Sequence, residues 1–323
     1  HPDSVRFTDA KEDALRRDFT INGMFYDPIH DEYIDFVGGE EDLELRIIRA
    51  IGDPIKRIEE DRLRMLRAIR FASTFGYGID AATFQAVQAN SEALNVVSRE
   101  RILVELTLIL KDTNRTQGMK LLNESGLLPH VISGLSDDCT QSESWATLLD
   151  VLDKVTESPL ESSLALIWRF VGEQDKVTND LKQLESIQRE MKLSNDSIKT
   201  INWILRSASS ILNASNEYWP EIHEIIVHDK IDVLINVCAA IAENDEQREH
   251  IRFCQKAINQ PRAQLNPEPL LDGNSILEHQ LAAGKEIGKL LKLVRDAQLL
   301  GEISSSSEAI SFARSLIANG QIS

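Results

Sequence analysis

Glu59-Glu60-Asp61-Arg62-Leu63-Arg64-Met65-Leu66-Arg67-Ala68-Ile69-Arg70-Phe71 is the stretch whose reading decides the fold. Leu63, Leu66, Ala68 and Ile69 supply an apolar face at helical spacing. At roughly 100° per residue, Asp61, Arg64, Arg67 and Arg70 form one polar ridge that drifts slowly around the same helix. One carboxylate and three guanidiniums on a ridge exceed what solubility requires. A solvated helix held by ion pairs one turn apart, Glu60 with Arg64 and Asp61 with Arg64, accounts for the same residues more plainly. The surroundings tip the balance. Arg46 to Arg70 carries eight basic against four acidic residues, net +4, inside a chain whose net charge is −17. A phosphate-bearing ligand is drawn to such a segment.

The 323 residues, 42% of them apolar, are enough for two or three cores. No apolar run reaches the roughly 20 residues that span a bilayer, so no membrane partner is expected. The chain opens on His1 without an initiator Met or a signal pattern, and upstream sequence is therefore expected. Cys139, Cys238 and Cys254 are scattered without CxxC spacing, which argues against zinc and against a disulfide framework and fits a reducing cytoplasm. The acidic balance excludes a generic nucleic-acid-coating surface.

Upstream of the ridge the pattern is mixed. Phe19, Ile21 and Met24 to Tyr26 predict strand character ending at the Asp27-Pro28 turn, and a hairpin leads into a strand over Tyr33 to Phe36. Gly38-Gly39 stops it, Glu40 to Leu45 opens a helix or turn, and Ile47 to Ile51 is compact and apolar. From Ile55 onward strand signals nearly vanish. Helical spacing recurs over 81–89, 99–111, 114–125, 144–155, 162–171, 177–191, 194–212, 230–243, 248–259 and 285–299, with Ser98, Asn114 and Ser194 as N-caps and Gly126 and Gly301 as stops. The fold class is therefore α+β and predominantly α: the end of an α/β head over 1–54, neck helices over 55–125, a helical body over 126–260 and, after the Pro-rich connector, a helical tail over 261–323.

Three motifs carry chemistry. In Arg16-Arg17-Asp18-Phe19-Thr20-Ile21-Asn22 the guanidiniums suit phosphate oxygens bidentately, while Asp18 and Asn22 can bond hydroxyls or orient an arginine; a strand-edge ion pair is the plainer account. In Asp35-Phe36-Val37-Gly38-Gly39-Glu40-Glu41-Asp42 the paired glycines can adopt positive φ, though a turn does the same, and Asp42 serves equally as a helix N-cap. On the ridge, Asp61 and Arg64 can together present an acceptor and donors to a base edge, matching cytosine or adenine better than uracil or guanine.

These motifs, in this order and at these gaps, resemble the bacterial, class II branch of the tRNA nucleotidyltransferase and poly(A) polymerase family, the CCA-adding enzymes. Leu270 to Asn274, Gly284, Ile287-Gly288 and Gly301 to Ile303 resemble the family's tail. The resemblance implies a template-independent nucleotidyltransferase that adds CCA from CTP and ATP to the tRNA 3′ acceptor end, with poly(A) addition as the nearest alternative. It implies that Arg16, Arg17, Asp18 and Asn22 line the ribose and triphosphate site, that Asp35, Gly38, Gly39 and Asp42 form a hinge-like element, that Asp61 and Arg64 read the base, and that Arg67 and Arg70 support the nucleotide.

In the family a metal-binding carboxylate pair and a Gly-rich loop precede the RRDFTIN segment, and Asp3, Asp9 and Asp13 do not reproduce them. The Mg²⁺ ligands are thus expected upstream of residue 1, and this chain alone is expected to bind nucleotide weakly and not to catalyse. No catalytic or metal residue is assigned within it. The histidines show no paired-ligand spacing, with His223 and His228 expected as a partly exposed helical pair. Trp145, Trp168, Trp203 and Trp219 are expected in core or inter-helix packing. The acidic runs 136–143 and 243–249 read as solvated loops or helix ends. The apolar C-terminal helices permit a homodimer. A non-catalytic helical scaffold that binds a partner protein through the charged neck is the reading from a different class.

Overall fold

The computed structural model describes residues 9–133, 135, 140, 143–157, 159–172 and 181–322. Asp3, Cys139, most of the acidic run 136–143 and the start of the helix expected over 177–191 lie outside them. Residues 1–205 form one unit and 206–323 another, the division falling within helix Asn195–Leu212. The fold is α+β and predominantly α. No described helix is long and apolar enough to cross a membrane.

The first unit opens with α1 (Ala10–Arg16), capped by the Asp9 carboxylate, which accepts from the Glu12 amide at 2.8 Å. Strands β1 (Phe25–Asp27) and β2 (Glu32–Ile34) make the expected antiparallel hairpin, in register Tyr26 to Tyr33. The RRDFTIN segment, however, is not a strand. Arg16 ends α1, Phe19 bridges Ala50 alone, and Thr20–Asn22 is a single 3-10 turn. Its backbone is satisfied by one neighbouring segment: the Thr20 amide donates to Arg49 O at 3.0 Å and the Ile51 amide to Asp18 O at 3.2 Å.

Helix α2 (Gly39–Leu45) follows, and Gly38, not Asp42, is its N-cap. The Asp35 carboxylate already accepts from the amides of Val37, Gly38 and Glu40, leaving no capping role for Asp42, which lies inside α2. Next, β3 (Ile47–Ile48) pairs in parallel with β4 (Gly78–Ile79), a contact 31 residues apart that no local pattern announces. Between them lie α3 (Pro54–Glu60), capped by Asp53, and α4 (Arg64–Phe75).

Glu59 to Phe71 is accordingly two helices and not one. Asp61 takes extended angles (φ −148°, ψ 104°), and its carboxylate accepts from the Leu63 amide at 3.1 Å. A short acceptor that bonds its own downstream backbone competes with the helical ladder, and here it wins. The apolar face survives the break: Leu63, Leu66, Ala68 and Ile69 are all buried. Helix α4 packs on α6 (Arg99–Lys111) and α7 (Arg115–Glu124), beyond α5 (Ala81–Ala89). Phe19, Ile48, Ala68 and Ala72 form a small core beside it, so the RRDFTIN segment and α4 share apolar contacts. Gly126 (φ +71°) sits where the sequence placed a stop after α7. Trp145 and Trp168 are buried in helices Glu143–Leu152 and Pro159–Gly172.

The second unit has its own core, around Ile276, Leu290, Val294, Ala309 and Ala313. Asp272 caps helix Gly273–Glu278, and Gly301 (φ +74°) follows helix Glu286–Leu299. His223 and His228 do not form a helical pair: His223 is buried in helix Trp219–Ile226 and donates from Nε2 to Leu265 O at 2.8 Å, while His228 lies beyond the helix end. Burial holds the His223 imidazole below its ordinary pKa.

The two glycines at the head of α2 are constrained for different reasons. A Cβ on Gly39 would lie 2.3 Å from Thr20 O and 2.7 Å from Met24 Cγ, whereas one on Gly38 (φ +81°) would meet nothing within 4 Å. Gly39→Ala is expected to cost about 3 kcal/mol through overpacking against backbone, and Gly38→Ala about 1 kcal/mol through backbone strain alone. Thermal unfolding of the two variants checks the order, and a Gly38→Ala protein that melts lower than Gly39→Ala contradicts it.

Candidate nucleotide site

The ridge arginines of α4 meet carboxylates that come from outside the segment. Asp18 Oδ1 accepts from Arg64 Nε at 2.8 Å and its Oδ2 from Arg67 Nε at 2.5 Å, across 46 and 49 residues. Glu105 of α6, only 4% exposed, accepts from Arg70 Nε at 2.6 Å and pairs with Arg67 Nη1 at 3.5 Å. Arg67 thus stands between two carboxylates. The Arg70 guanidinium also lies 4.1 Å from the centroid of the Phe71 ring, which packs edge-on against Phe19.

Burial pushes the Asp18 carboxyl up, but the hydrogen bond from Arg64 and the charge of Arg67 outweigh it, so the group rests below its ordinary value. Burial likewise lowers Arg64, and Asp18 with Glu60 raises it above its ordinary value in net. Both groups are therefore ionised at neutral pH.

The pair Asp61 and Arg64 is held by separate partners. Arg101 Nη2 donates to Asp61 Oδ2 at 2.8 Å. Arg64 Nη1 donates to Glu60 Oε2 at 2.8 Å, the ion pair foreseen from spacing, and to Arg57 O at 2.6 Å. No Asp61–Arg64 ion pair forms among the described residues, because the turn at Asp61 takes its carboxylate off the ridge. The two remain within one turn of backbone, the Arg64 amide donating to Asp61 O at 3.1 Å.

Arg16 and Arg17 both contact Asp13 of α1. Arg17 also donates to Asn22 O at 3.2 Å and lies 5.0 Å from the Phe25 ring centroid. Arg57 Nη2 reaches back to Arg17 O at 2.5 Å. Two buried polar atoms here have no partner among the described residues: Asn22 Oδ1, an acceptor, and Arg57 Nε, a donor. Such orphans are costly unless a ligand or water completes them.

Asp35, Gly38 and Gly39 meet at the start of α2, while Asp42, 3% exposed, is anchored beneath them. Thr20 Oγ1 donates to Asp42 Oδ2 at 2.7 Å, and Arg49 bridges Asp42 at 3.0 Å to Asp80 at 2.6 Å. Arg49 and Arg57 were read only as part of the basic segment, and Asp13, Arg101 and Glu105 were given no role in the site. Two local signals were there to find them: Asp13 lies three and four residues before Arg16 and Arg17, and Arg101 and Glu105 stand four apart on a helix otherwise read for its apolar spacing. Among the described residues no group of three His, Cys, Asp or Glu side chains is placed to hold a metal ion.

A family described as the poly A polymerase head domain matches residues 1–49, and one described as a probable RNA- and SrmB-binding site of polymerase A matches 76–139. The CCA-adding enzyme of Bacillus pumilus is 31% identical over 318 residues, which cover 96% of this chain and 73% of that protein. Among solved structures, the Bacillus stearothermophilus CCA-adding enzyme in complex with CTP aligns with a TM-score of 0.76 at 24% identity, covering 98% of this chain and 76% of that one. The Thermotoga maritima CCA-adding enzyme complexed with tRNA aligns at 0.63 and 21% identity, covering 95% and 74%.

Asp18 has a pH consequence. Its folded-state pKa is lowered relative to the ordinary carboxylate, so its contribution is fully present above about pH 4 and is lost as pH falls through the lowered value. Asp18→Asn, which leaves Arg64 and Arg67 short of an anion, is expected to cost roughly 2 kcal/mol at pH 7 and to flatten the acid side of the stability profile. Melting temperatures between pH 2.5 and 7 test this, and parallel profiles for the two proteins would count against it.

Proposed function

This chain belongs to the CCA-adding enzyme family, and from that premise we propose that it is a template-independent RNA nucleotidyltransferase. It adds CMP and AMP, from CTP and ATP, to the 3′ end of tRNA. The 3′ hydroxyl oxygen attacks the α-phosphorus and gives up its proton to solvent, the bond from that phosphorus to the α,β-bridging oxygen breaks, and pyrophosphate leaves carrying the bridging oxygen and its electron pair. The observation that carries the site assignment is the pair of orphaned buried atoms, Asn22 Oδ1 and Arg57 Nε, beside the exposed guanidiniums of Arg16 and Arg17. A sugar hydroxyl both donates and accepts, and a triphosphate suits the arginines.

In this reading Arg16 and Arg17 take the triphosphate, and Asp18 orients Arg64 and Arg67 while Asn22 faces the ribose. Asp61 and Arg64 read the base. Their separate anchoring by Arg101 and by Asp18 with Glu60 supports that role, since a protein template selects a base only with donors and acceptors that hold still. Arg67 and Arg70 support the nucleotide, and Asp35, Gly38, Gly39 and Asp42 act as the hinge-like element. Mg²⁺ is proposed to neutralise triphosphate charge, held by ligands other than the described residues. A homodimer and a cytoplasmic location complete the proposal. Poly(A) addition is the second reading, favoured by the wording of the two matched family descriptions.

Calorimetric titration of the full-length protein with CTP, ATP, UTP and GTP tests the proposal. CTP and ATP are expected to bind more tightly than the other two. Arg17→Ala should weaken all four by about tenfold, the effect of losing a charge-assisted contact, while Arg64→Ala should erode the preference for CTP and ATP more than the overall affinity. Equal or absent binding of all four would favour a non-catalytic helical interaction protein and overturn the assignment.

A further inference from the structure

Among the described residues Asp13 is the one carboxylate that contacts both arginines assigned to the triphosphate. Its Oδ1 accepts from Arg16 Nε at 2.6 Å and from Arg16 Nη2. Its Oδ2 accepts from Arg17 Nε at 3.1 Å and Nη2 at 2.8 Å. Each oxygen therefore takes the Nε–Nη2 edge of one guanidinium, the edge that receives a phosphate bidentately. Arg17 Nη1 is spent on Asn22 O as well. No polyphosphate can use these edges while Asp13 holds them.

The other carboxylates of the site are differently placed. Asp18 and Glu105 span long stretches of chain and are 19% and 5% exposed at the side chain. Asp13 reaches only three and four residues along, to side chains 64% and 43% exposed. Ion pairs this open to solvent contribute little to stability and exchange readily for a more highly charged anion.

Resting on the triphosphate role given to Arg16 and Arg17, we propose that Asp13 is a built-in stand-in for the incoming triphosphate. Its carboxylate holds the two guanidiniums side by side, in an orientation set by one anion, and gives them up when a polyphosphate takes its place. Two adjacent arginines without a shared anion would repel and scatter; with one, they are gathered at a cost in affinity. Asp13 acts through the arginines, as a positioning residue that also competes.

Calorimetric titration of inorganic tripolyphosphate and of CTP into the full chain tests this with three variants. Asp13→Asn should bind tripolyphosphate about threefold to tenfold more tightly, the range given by removing weak exposed ion pairs. Asp13→Glu, which restores a carboxylate, should return toward the parent value. Glu12→Gln, an equal charge change on α1 at a residue with no ion pair among the described residues, should bind like the parent. Weaker or unchanged binding by Asp13→Asn overturns the stand-in, and so does a gain by Glu12→Gln of equal size, which would mean long-range charge alone. If CTP preference persists while Asp13→Asn weakens binding, only the stand-in falls. If no protein of the set binds tripolyphosphate or CTP, the stand-in and the triphosphate role fall together.

Discussion

The Asp18 carboxylate, shared between Arg64 and Arg67, is the contact on which the site depends. It joins a non-helical segment near the start of the chain to a helix almost fifty residues later. Glu105 repeats the device one turn further along α4, taking Arg67 and Arg70. The result is a run of alternating charge, Arg64 to Asp18 to Arg67 to Glu105 to Arg70, in which each partly buried guanidinium has an anion and each anion has two cations. Burying such charges is tolerable only when all are paired, so the run specifies its geometry closely. The isolated helix would leave three like charges on one face; the folded chain turns them into the attachment of α4 to both neighbours.

A second, independent tie runs below. Thr20 donates to Asp42, Asp42 accepts from Arg49, and Arg49 crosses to Asp80, which also caps α5. Gly39 lies so close to Thr20 O that any side chain there would force the two segments apart. The short distance between α2 and the RRDFTIN turn is thus set by a hydrogen bond on one side and a missing Cβ on the other. With Asp18 fixed from the α4 side and Thr20 from the α2 side, the segment bearing Arg16, Arg17 and Asn22 needs no regular strand to hold its position.

Much of this was legible in local pattern. The apolar face over Leu63 to Ile69, the hairpin around Asp27-Pro28, the glycine stops at Gly126 and Gly301, and the Glu60–Arg64 pair all depend on residues a few positions apart. The same local logic misled at Asp61, whose helical spacing was real but whose carboxylate preferred the Leu63 amide. It misled at Asp42, where a plausible cap proved to be a buried anchor because Asp35 had already satisfied the amides. At His223 a five-residue spacing to His228 concealed a helix end between them.

By itself, then, the sequence determined which residues belong together as motifs, the helical character of nearly everything after Ile55, and the family to which this order of motifs belongs. Periodicity and motif spacing are properties of neighbours along the chain, and they need no knowledge of what lies across from them. Only the tertiary structure decided which carboxylate answers which arginine. Asp18, Glu105, Arg101 and Asp13 could each have paired with several of the site's charges, and Coulomb attraction does not choose among them by sequence separation. Burial and the turn at Asp61 choose, by setting which side chains come within hydrogen-bonding reach of one another.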